Sequence, residues 1–312
     1  MLKKYTLRSF ILLFLVINIA AFFHAYKFTH FSASATERTR NAKKLSAAEK
    51  IKTLIFSVNN PKPLNKEFPL QAYKTIYLQS SKKIECWEIK TPDSKGTVAI
   101  FHGYAASKSM MLDKADEFIK LGYGVLLVDF IGCGGSEGNQ TTIGFKEAQD
   151  VKTCFDYLKQ QKENNIILFG TSMGAAAIMK SIDQYHIHPS AIILECPFGS
   201  MYKTTCARFK LMHVPSFPMA GILLFYGGLQ NNFWAFSHNP QQYAKTINCP
   251  TLLLQGGKDA EVSRSETDEI YKNLGGKKTL KIYPNATHEN YLIQYKNEWI
   301  NDISAFLSDV KS

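Results

Sequence analysis

Short, uninterrupted runs of Val, Ile, Leu and Phe recur along the chain from residue 97 onward. Such runs are typical of strands that are covered on both faces of a parallel sheet. Two earlier segments alternate apolar and polar residues, as the edge strands of a hairpin do. The predicted strands are Tyr73–Gln79, Ile84–Ile89, Thr97–Phe101, Val125–Phe130, Ile166–Phe169, Ala191–Leu194, Thr251–Leu254 and Leu280–Tyr283.

Segments with apolar residues at helical spacing separate most of these strands. The predicted helices are Met110–Leu121, Gly144–Lys162, Met173–Tyr185, Ser263–Leu274 and Tyr291–Val310. The alternation predicts an α/β fold with a mostly parallel, eight-stranded sheet and helices on both faces. Any ligand site is then expected beyond the carboxyl ends of the strands. Residues 197–246 interrupt the alternation of strands and helices and are predicted to form an insertion.

An apolar segment opens the chain. Phe10–Phe23 contains no charged residue, and its extension to Phe28 reaches the roughly 20 residues that span a bilayer. A cleaved signal peptide needs small residues close after such a run, but the first suitable site, Ala33-Ser34-Ala35, comes well downstream. Residues 1–28 are therefore predicted to be an N-terminal transmembrane anchor, with a signal peptide or a buried helix as alternatives.

The positive charge is concentrated near that segment. The net charge is +11, yet residues 1–52 hold ten Lys and Arg against two acidic residues, so the body is close to neutral. This distribution argues against a nucleic-acid partner, which usually needs a basic folded face. Residues 29–71 are predicted to be a basic linker with one short helix capped by Ser46 and Glu49. Residues 72–312 form the predicted main domain.

The side of the membrane stays open at this stage. A short basic N-terminal tail favours an extracytoplasmic body, but Lys27, Arg38, Arg40, Lys43 and Lys44 crowd the other flank and oppose it. The six cysteines show no CxxC pair and no metal-ligand spacing with histidine, so neither a metal nor a cofactor is predicted.

A candidate nucleophile lies where a predicted strand meets a helix. Gly170-Thr171-Ser172-Met173-Gly174 has the GxSxG pattern, in which glycines permit a tight turn that lifts the serine hydroxyl out of the sheet. The backbone N–H of Met173 then faces the position where an oxyanion develops. A serine that merely caps the helix is the structural alternative.

A serine nucleophile needs a base, and the base needs an orienting acid. Asp259 closes the segment LLLQGGKD, which begins in the predicted strand Thr251–Leu254, and His288 lies in the loop before the last helix. The chain order Ser172, Asp259, His288 fits a hydrolase with a nucleophile elbow. Glu195, at the end of a neighbouring strand, is the rival acid. The backbone N–H of Tyr104, after His102 and Gly103, is predicted to be the second oxyanion donor.

These motifs resemble those of the α/β-hydrolase superfamily, in particular the serine hydrolases that include monoacylglycerol lipases and prolyl-aminopeptidase-like proteins. The resemblance covers about residues 75–310 and rests on HGY at 102–104, DFIGCGGSEG at 129–138, GTSMGA at 170–175, QGGKD at 255–259 and ATHEN at 286–290. The chain departs from the family pattern at Ile131, where an arginine is usual, so the ion pair of that arginine is absent.

The resemblance implies that the insertion 197–246 is a small cap over the active site. Its many aromatic and methionine side chains are expected either to cover an apolar pocket or to attach the cap to the sheet. The candidate substrate contacts are Phe209, Met212, Phe225 and Trp234. The insertion contains no Asp or Glu, which gives little support to capture of a peptide amino terminus.

The sequence therefore predicts a membrane-anchored serine hydrolase that cleaves a carboxylic ester or thioester of an apolar acyl or lipid-derived substrate through an acyl-enzyme. The alternatives are an acyltransferase or peptidase with the same triad, or a catalytically silent hydrolase fold used for interactions. The sequence does not indicate an oligomeric state.

Overall fold

The computed structural model describes residues 2–34, 37–39 and 45–310. They fall into two compact units. The smaller unit comprises Met1–Pro61 and Met201–His238, and the larger comprises Lys62–Ser200 and Asn239–Ser312. These bounds differ from the linker end predicted at residue 71 and from the insertion predicted at residues 197–246.

Eleven α-helices are described, apart from short 3₁₀ turns. In chain order they are α1 (Leu2–Thr29), α2 (Ala47–Phe56), α3 (Leu112–Lys120), α4 (Ala148–Gln160), α5 (Met173–Tyr185), α6 (Met201–Leu211), α7 (Met219–Gln230), α8 (Pro240–Tyr243), α9 (Arg264–Asn273), α10 (Tyr291–Gln294) and α11 (Lys296–Val310).

The larger unit is built on one eight-stranded sheet. Its strands are β1 (Lys74–Gln79), β2 (Lys83–Ile89), β3 (Thr97–Phe101), β4 (Gly124–Val128), β5 (Ile166–Thr171), β6 (Ala191–Glu195), β7 (Thr251–Gly256) and β8 (Lys278–Tyr283). They lie in the order β1-β2-β4-β3-β5-β6-β7-β8. β2 pairs antiparallel with β1 and β4, and all other pairs are parallel. The predicted eight-stranded, mostly parallel sheet is confirmed.

Alternate residues of the central strands enter two separate apolar clusters. Ala99 and Phe101 belong to one cluster, whereas Val98 and Ile100 belong to the other. The two clusters lie on opposite faces because successive side chains of a strand point to opposite sides of its sheet. Buried side chains of α4 and α5 join the first cluster, and those of α3 and α11 join the second. Helices therefore cover both faces, as predicted.

The predicted C-terminal helix differs from the observed one in one respect. The expected helix Tyr291–Val310 is divided into α10 and α11 at Tyr295, whose backbone is not helical. The apolar stripe continues across this break, which explains why periodicity alone did not reveal it.

The smaller unit contains α1, α2, α6 and α7. Residues Tyr5–Thr29 of α1 form a helix long and apolar enough to cross a membrane. The apolar side chains near its start are exposed, for example Phe10 at 71% and Phe14 at 63%. The predicted cap of α2 is confirmed, because the Ser46 hydroxyl accepts a hydrogen bond from the Glu49 amide while the Glu49 carboxylate accepts one from the Ser46 amide.

Candidate active site

Ser172 lies in a strained turn between β5 and α5. Its φ of +51° lies in a region that L-residues rarely adopt. Two glycines allow this turn to pack closely. A Cβ atom at Gly170 would approach the Ala175 nitrogen to 2.6 Å, and one at Gly174 would approach the Phe101 carbonyl oxygen to 2.3 Å. The turn therefore has the geometry of a nucleophile elbow.

The imidazole of His288 lies between the serine and an acid. His288 Nε2 is 2.9 Å from Ser172 Oγ, and His288 Nδ1 is 2.7 Å from Asp259 Oδ2. With the Nδ1 proton donated to Asp259, Nε2 is free to accept the proton of the serine hydroxyl. The three residues predicted from the sequence are thus brought into one continuous hydrogen-bonded chain.

The Asp259 carboxylate is held from its other side. Its Oδ1 accepts hydrogen bonds from the amides of Glu261 at 2.8 Å and Val262 at 2.9 Å. The carboxylate has no exposed surface, whereas the His288 side chain is 19% exposed. Because the two amides hold Oδ1, the carboxylate is fixed in the orientation in which Oδ2 faces the imidazole.

Two glycines bring the Asp259 and His288 loops together. A Cβ atom at Gly256 would approach the Ala286 carbonyl oxygen to 2.6 Å, and one at Gly257 would approach the Pro284 carbonyl oxygen to 2.6 Å. The Gly-Gly pair at the end of β7 therefore lets the loop after β8 pack directly against it. A side chain at either position would push the two loops apart.

The environment of His288 stabilises its protonated form. Burial alone lowers the pKa of His288, but the adjacent Cys196 and Asp259 side chains outweigh burial and raise the pKa well above its ordinary value of 6.5. We attribute the direction to the Asp259 carboxylate, which is hydrogen-bonded to the imidazole at 2.7 Å. The imidazolium that forms when His288 accepts a proton is therefore stabilised.

The predicted oxyanion loop lies beside the elbow. A Cβ atom at Gly103 would be 3.9 Å from the Ser172 Cβ, so Gly103 lies next to the nucleophile. The amide of Tyr104 belongs to the next residue of the chain. Met173 is the first residue of α5, where amides have no partner within the helix.

His102 is fully buried, its Nε2 accepts a hydrogen bond from the Phe130 amide at 3.2 Å, and burial lowers its pKa. His102 is thus a neutral residue that supports the loop.

Glu195, the rival acid, is engaged elsewhere. Its carboxylate accepts hydrogen bonds from Trp299 Nε1 at 2.7 Å and from Thr171 Oγ1 at 3.0 Å, and lies 3.6 Å from Lys114 Nζ. The backbone carbonyl of Glu195 does contribute to the elbow, because it accepts the Ser172 amide at 2.7 Å. The geometry therefore favours Asp259 as the partner of the histidine.

Cys196 is a residue near the site that the sequence reasoning missed. Ligand atoms of Cys196, Asp259 and His288 lie within 4.8 Å of one another, a spacing that could hold a metal ion. Two of these three side chains belong to the hydrogen-bonded chain, so an ion bound there would compete with it. The available signal was the position of Cys196 directly after β6, since ligand sites lie beyond the carboxyl ends of parallel strands.

The four predicted substrate contacts all lie in the smaller unit. Phe209 is on α6, Met212 follows it, Phe225 is on α7, and Trp234 follows that helix. Phe225 and Trp234 are exposed, at 47% and 60%, while Phe209 and Met212 are half-buried. Their role in substrate binding stays a prediction.

Comparison with known proteins identifies the fold family. A family model described as serine aminopeptidase, S33 matches residues 92–221 and 228–292, which together are more than half of the chain. An esterase from Pyrococcus furiosus, Pf2001, has a similar structure with a TM-score of 0.68 and 25% identity, over 80% of this chain and 97% of that one. The resemblance to α/β hydrolases noted in the sequence is thereby confirmed.

Two curated relatives extend the comparison. The uncharacterised protein YqkD of Bacillus subtilis is 25% identical over 232 residues, 73% of this chain and 76% of its own length. The lysophosphatidylserine lipase ABHD12 of Danio rerio is 24% identical over 249 residues, 73% of this chain and 62% of its own length.

Proposed function

Because the chain belongs to the serine aminopeptidase S33 family of α/β hydrolases, we propose that it is a membrane-anchored serine hydrolase that cleaves an ester or thioester of an apolar acyl group. The observation that carries this proposal is the unbroken chain of hydrogen bonds from Ser172 through His288 to Asp259. An esterase and a lipase among the similar proteins support ester hydrolysis.

In the proposed reaction, Ser172 Oγ attacks the carbonyl carbon of the ester and its proton passes to His288 Nε2. Asp259 keeps the ring oriented and stabilises the imidazolium. The carbonyl oxygen becomes an oxyanion that accepts hydrogen bonds from the Met173 and Tyr104 amides. Collapse of this intermediate breaks the bond to the alcohol or thiol, which takes the proton from His288. Water, activated by the same imidazole, then releases the acid from the acyl-serine.

The insertion favours an acyl substrate over a peptide. Residues 197–246 contain no Asp or Glu, so the cap offers no carboxylate to a peptide's ammonium group. They are instead rich in Phe, Met and Leu, which suit a flexible acyl chain. The lipase ABHD12 supports the same substrate class.

The proposed anchor is α1. Its residues Tyr5–Thr29 have the length and composition of a membrane span, and most of its first half is exposed. Exposed apolar side chains over such a length are stabilised by lipid rather than by water. The protein is therefore proposed to act on substrates close to a membrane.

Turnover of a series of p-nitrophenyl esters tests this function. We expect kcat/KM to rise as the acyl chain lengthens and to exceed that for aminoacyl p-nitroanilides. Ser172→Ala abolishes turnover. Ser181→Ala leaves it unchanged, because Ser181 lies on the helix that follows Ser172 and its hydroxyl has no hydrogen-bond partner among the described residues. Preferential cleavage of the anilides would contradict the proposed substrate class and favour a peptidase.

A further inference from the structure

Helix α7 of the smaller unit exposes apolar side chains. It contains no charged residue, and Phe225 and Leu229, one turn apart on the same face, are 47% and 61% exposed. The segment leading into it exposes Phe217 at 82%. An apolar surface of this kind on a soluble protein usually marks an interaction site.

Helix α7 is bonded to the candidate membrane span. Tyr226 donates a hydrogen bond to Asn18 Oδ1 at 3.0 Å, and Gln230 Nε2 donates one to the Phe22 carbonyl oxygen at 2.8 Å. The rings of Phe22 and Tyr226 meet edge to face, 5.6 Å apart. Because contacts one turn apart on α7 match contacts one turn apart on α1, the two helices run in the same direction.

These contacts lie along the apolar part of α1. Eighteen residues separate Arg8 from Lys27, or about 27 Å at 1.5 Å per residue, close to the roughly 30 Å thickness of a hydrocarbon core. By the same rise, Asn18 lies about 14 Å and Phe22 about 8 Å from the level of Lys27. If α1 spans a bilayer, α7 lies beside it at the depth of the acyl chains, with its last residues nearest the Lys27 side.

Basic residues collect at the Lys27 end of this arrangement. Lys27 Nζ donates to the Phe56 carbonyl oxygen at 2.7 Å, and the Arg208 guanidinium lies 5.8 Å from the ring centre of Phe28. Lys50 is on the neighbouring helix α2. Cations at this level and apolar side chains beyond it match the anionic headgroups and acyl chains of a lipid leaflet.

The backbone of α7 is also suited to hydrocarbon, where unpaired polar groups are costly. Near its end, the Gly227 carbonyl accepts a hydrogen bond from Asn231 Nδ2 at 2.9 Å, and the Gly228 carbonyl accepts one from the Phe233 amide at 3.0 Å. At its start, the Ala220 amide donates to the Ser216 carbonyl at 2.6 Å. Two carbonyls at the end of the helix and one amide at its start are thus partnered.

We propose that α7 is a re-entrant membrane helix, buried among the acyl chains alongside α1. The inference rests on the proposed membrane anchor. At 12 residues, or about 18 Å, α7 is too short to span the bilayer, so it enters and leaves on one side. The lipid-facing residues are Phe225 and Leu229 on the helix and Phe217 before it.

Tryptophan fluorescence of the full-length protein in lipid vesicles tests this placement. Two of the three natural tryptophans, Trp87 and Trp299, are buried, so Trp234→Phe removes the exposed one. Into this background we introduce Phe225→Trp on α7, Phe14→Trp on α1 as the anchor probe, or Tyr77→Trp on the exposed strand β1 as the control for a water-facing site. Phosphatidylcholine brominated along its acyl chains quenches a ring in hydrocarbon, and acrylamide quenches one in water.

We expect brominated lipid to reduce the added fluorescence of both Phe225→Trp and Phe14→Trp, and acrylamide to quench Tyr77→Trp. If Phe14→Trp responds to brominated lipid but Phe225→Trp responds only to acrylamide, α7 lies in water and the inference is overturned while the anchor stands. If neither quencher reaches Phe225→Trp, a second protein surface covers α7, which also overturns it. If brominated lipid reaches neither probe, the anchor itself fails, and the inference fails with it.

Discussion

The Glu195 carboxylate accepts a hydrogen bond from the indole Nε1 of Trp299 at 2.7 Å, and both side chains are fully buried. This bond turns the carboxylate toward the packed face of α11. Glu195, the other acid that could have oriented His288, therefore bonds to a core side chain instead.

The two candidate acids are expected to respond differently to conversion into amides. Asp259→Asn removes the negative charge that orients His288, so kcat/KM should fall on the order of thousandfold. Glu195→Gln should keep kcat/KM within about tenfold of wild type while lowering the free energy of unfolding by about 1–3 kcal/mol, since it weakens a buried hydrogen bond to a charged group. Ester hydrolysis and denaturant unfolding of both variants provide the check. The reverse pattern would transfer the acid role to Glu195.

The pH dependence of activity follows from the raised pKa of His288. The general base must be neutral, so kcat/KM should rise with pH and reach half its plateau above the ordinary histidine pKa of 6.5. Asp259→Asn removes the carboxylate that raises this pKa, so the midpoint of the residual activity should move to lower pH by about one unit or more. A midpoint that is the same in both proteins would show that the carboxylate does not set the pKa.

Lys108 is a buried cation of the larger unit. Lys108 has no exposed surface, and its Nζ bonds to Glu85 Oε1 at 2.7 Å and to the fully buried Asp129 carboxylate. Lys108→Met removes the cation that pairs with both carboxylates, so the free energy of unfolding should fall by about 3 kcal/mol or more. Lys83→Met, which breaks the exposed pair with Glu137, should change it by less than about 1 kcal/mol. Equal losses in urea unfolding would contradict the buried charge network.

Asp150 makes folding stability depend on pH near neutrality. Burial raises the pKa of Asp150 to about 7, although hydrogen bonds from the Ser80 hydroxyl and the Ile131 amide oppose this. A folded-state pKa above the unfolded one gives stability that is complete at low pH and is lost as pH rises through 7. Asp150 should therefore contribute a fall of about 1 kcal/mol in the free energy of unfolding between pH 6 and pH 8. The part of the fall that Asp150 contributes should be lost in Asp150→Asn and kept in Asp156→Asn, a partly exposed position of the same helix. The part that comes from the raised pKa of His288 should stay in both variants.

The strands and the positions of Ser172, Asp259 and His288 could be predicted because each depends on short-range sequence. Thr97–Phe101 and Met173–Tyr185 were predicted with the bounds that the structure shows. Gly170 and Gly174 indicate a tight turn whatever surrounds it, and the order of Ser172, Asp259 and His288 is a property of the chain.

Other features depend on contacts that only the folded chain creates. The burial of Lys108 was not predicted, because lysine is rarely buried unless a partner is present and its partners are distant in sequence. Helix α7 was not predicted because it is apolar on all sides, so no periodicity distinguishes it. Cys196 has no motif, and its position near His288 arises from the pairing of β6 with β7.

Labelling by a fluorophosphonate probe, read by intact mass and peptide mapping, tests the proposed nucleophile most directly. We predict one adduct per chain, located on Ser172, lost in Ser172→Ala and retained in the matched variant Ser181→Ala. Folded protein that takes up no label, or that carries it on another residue, would contradict the assignment of Ser172.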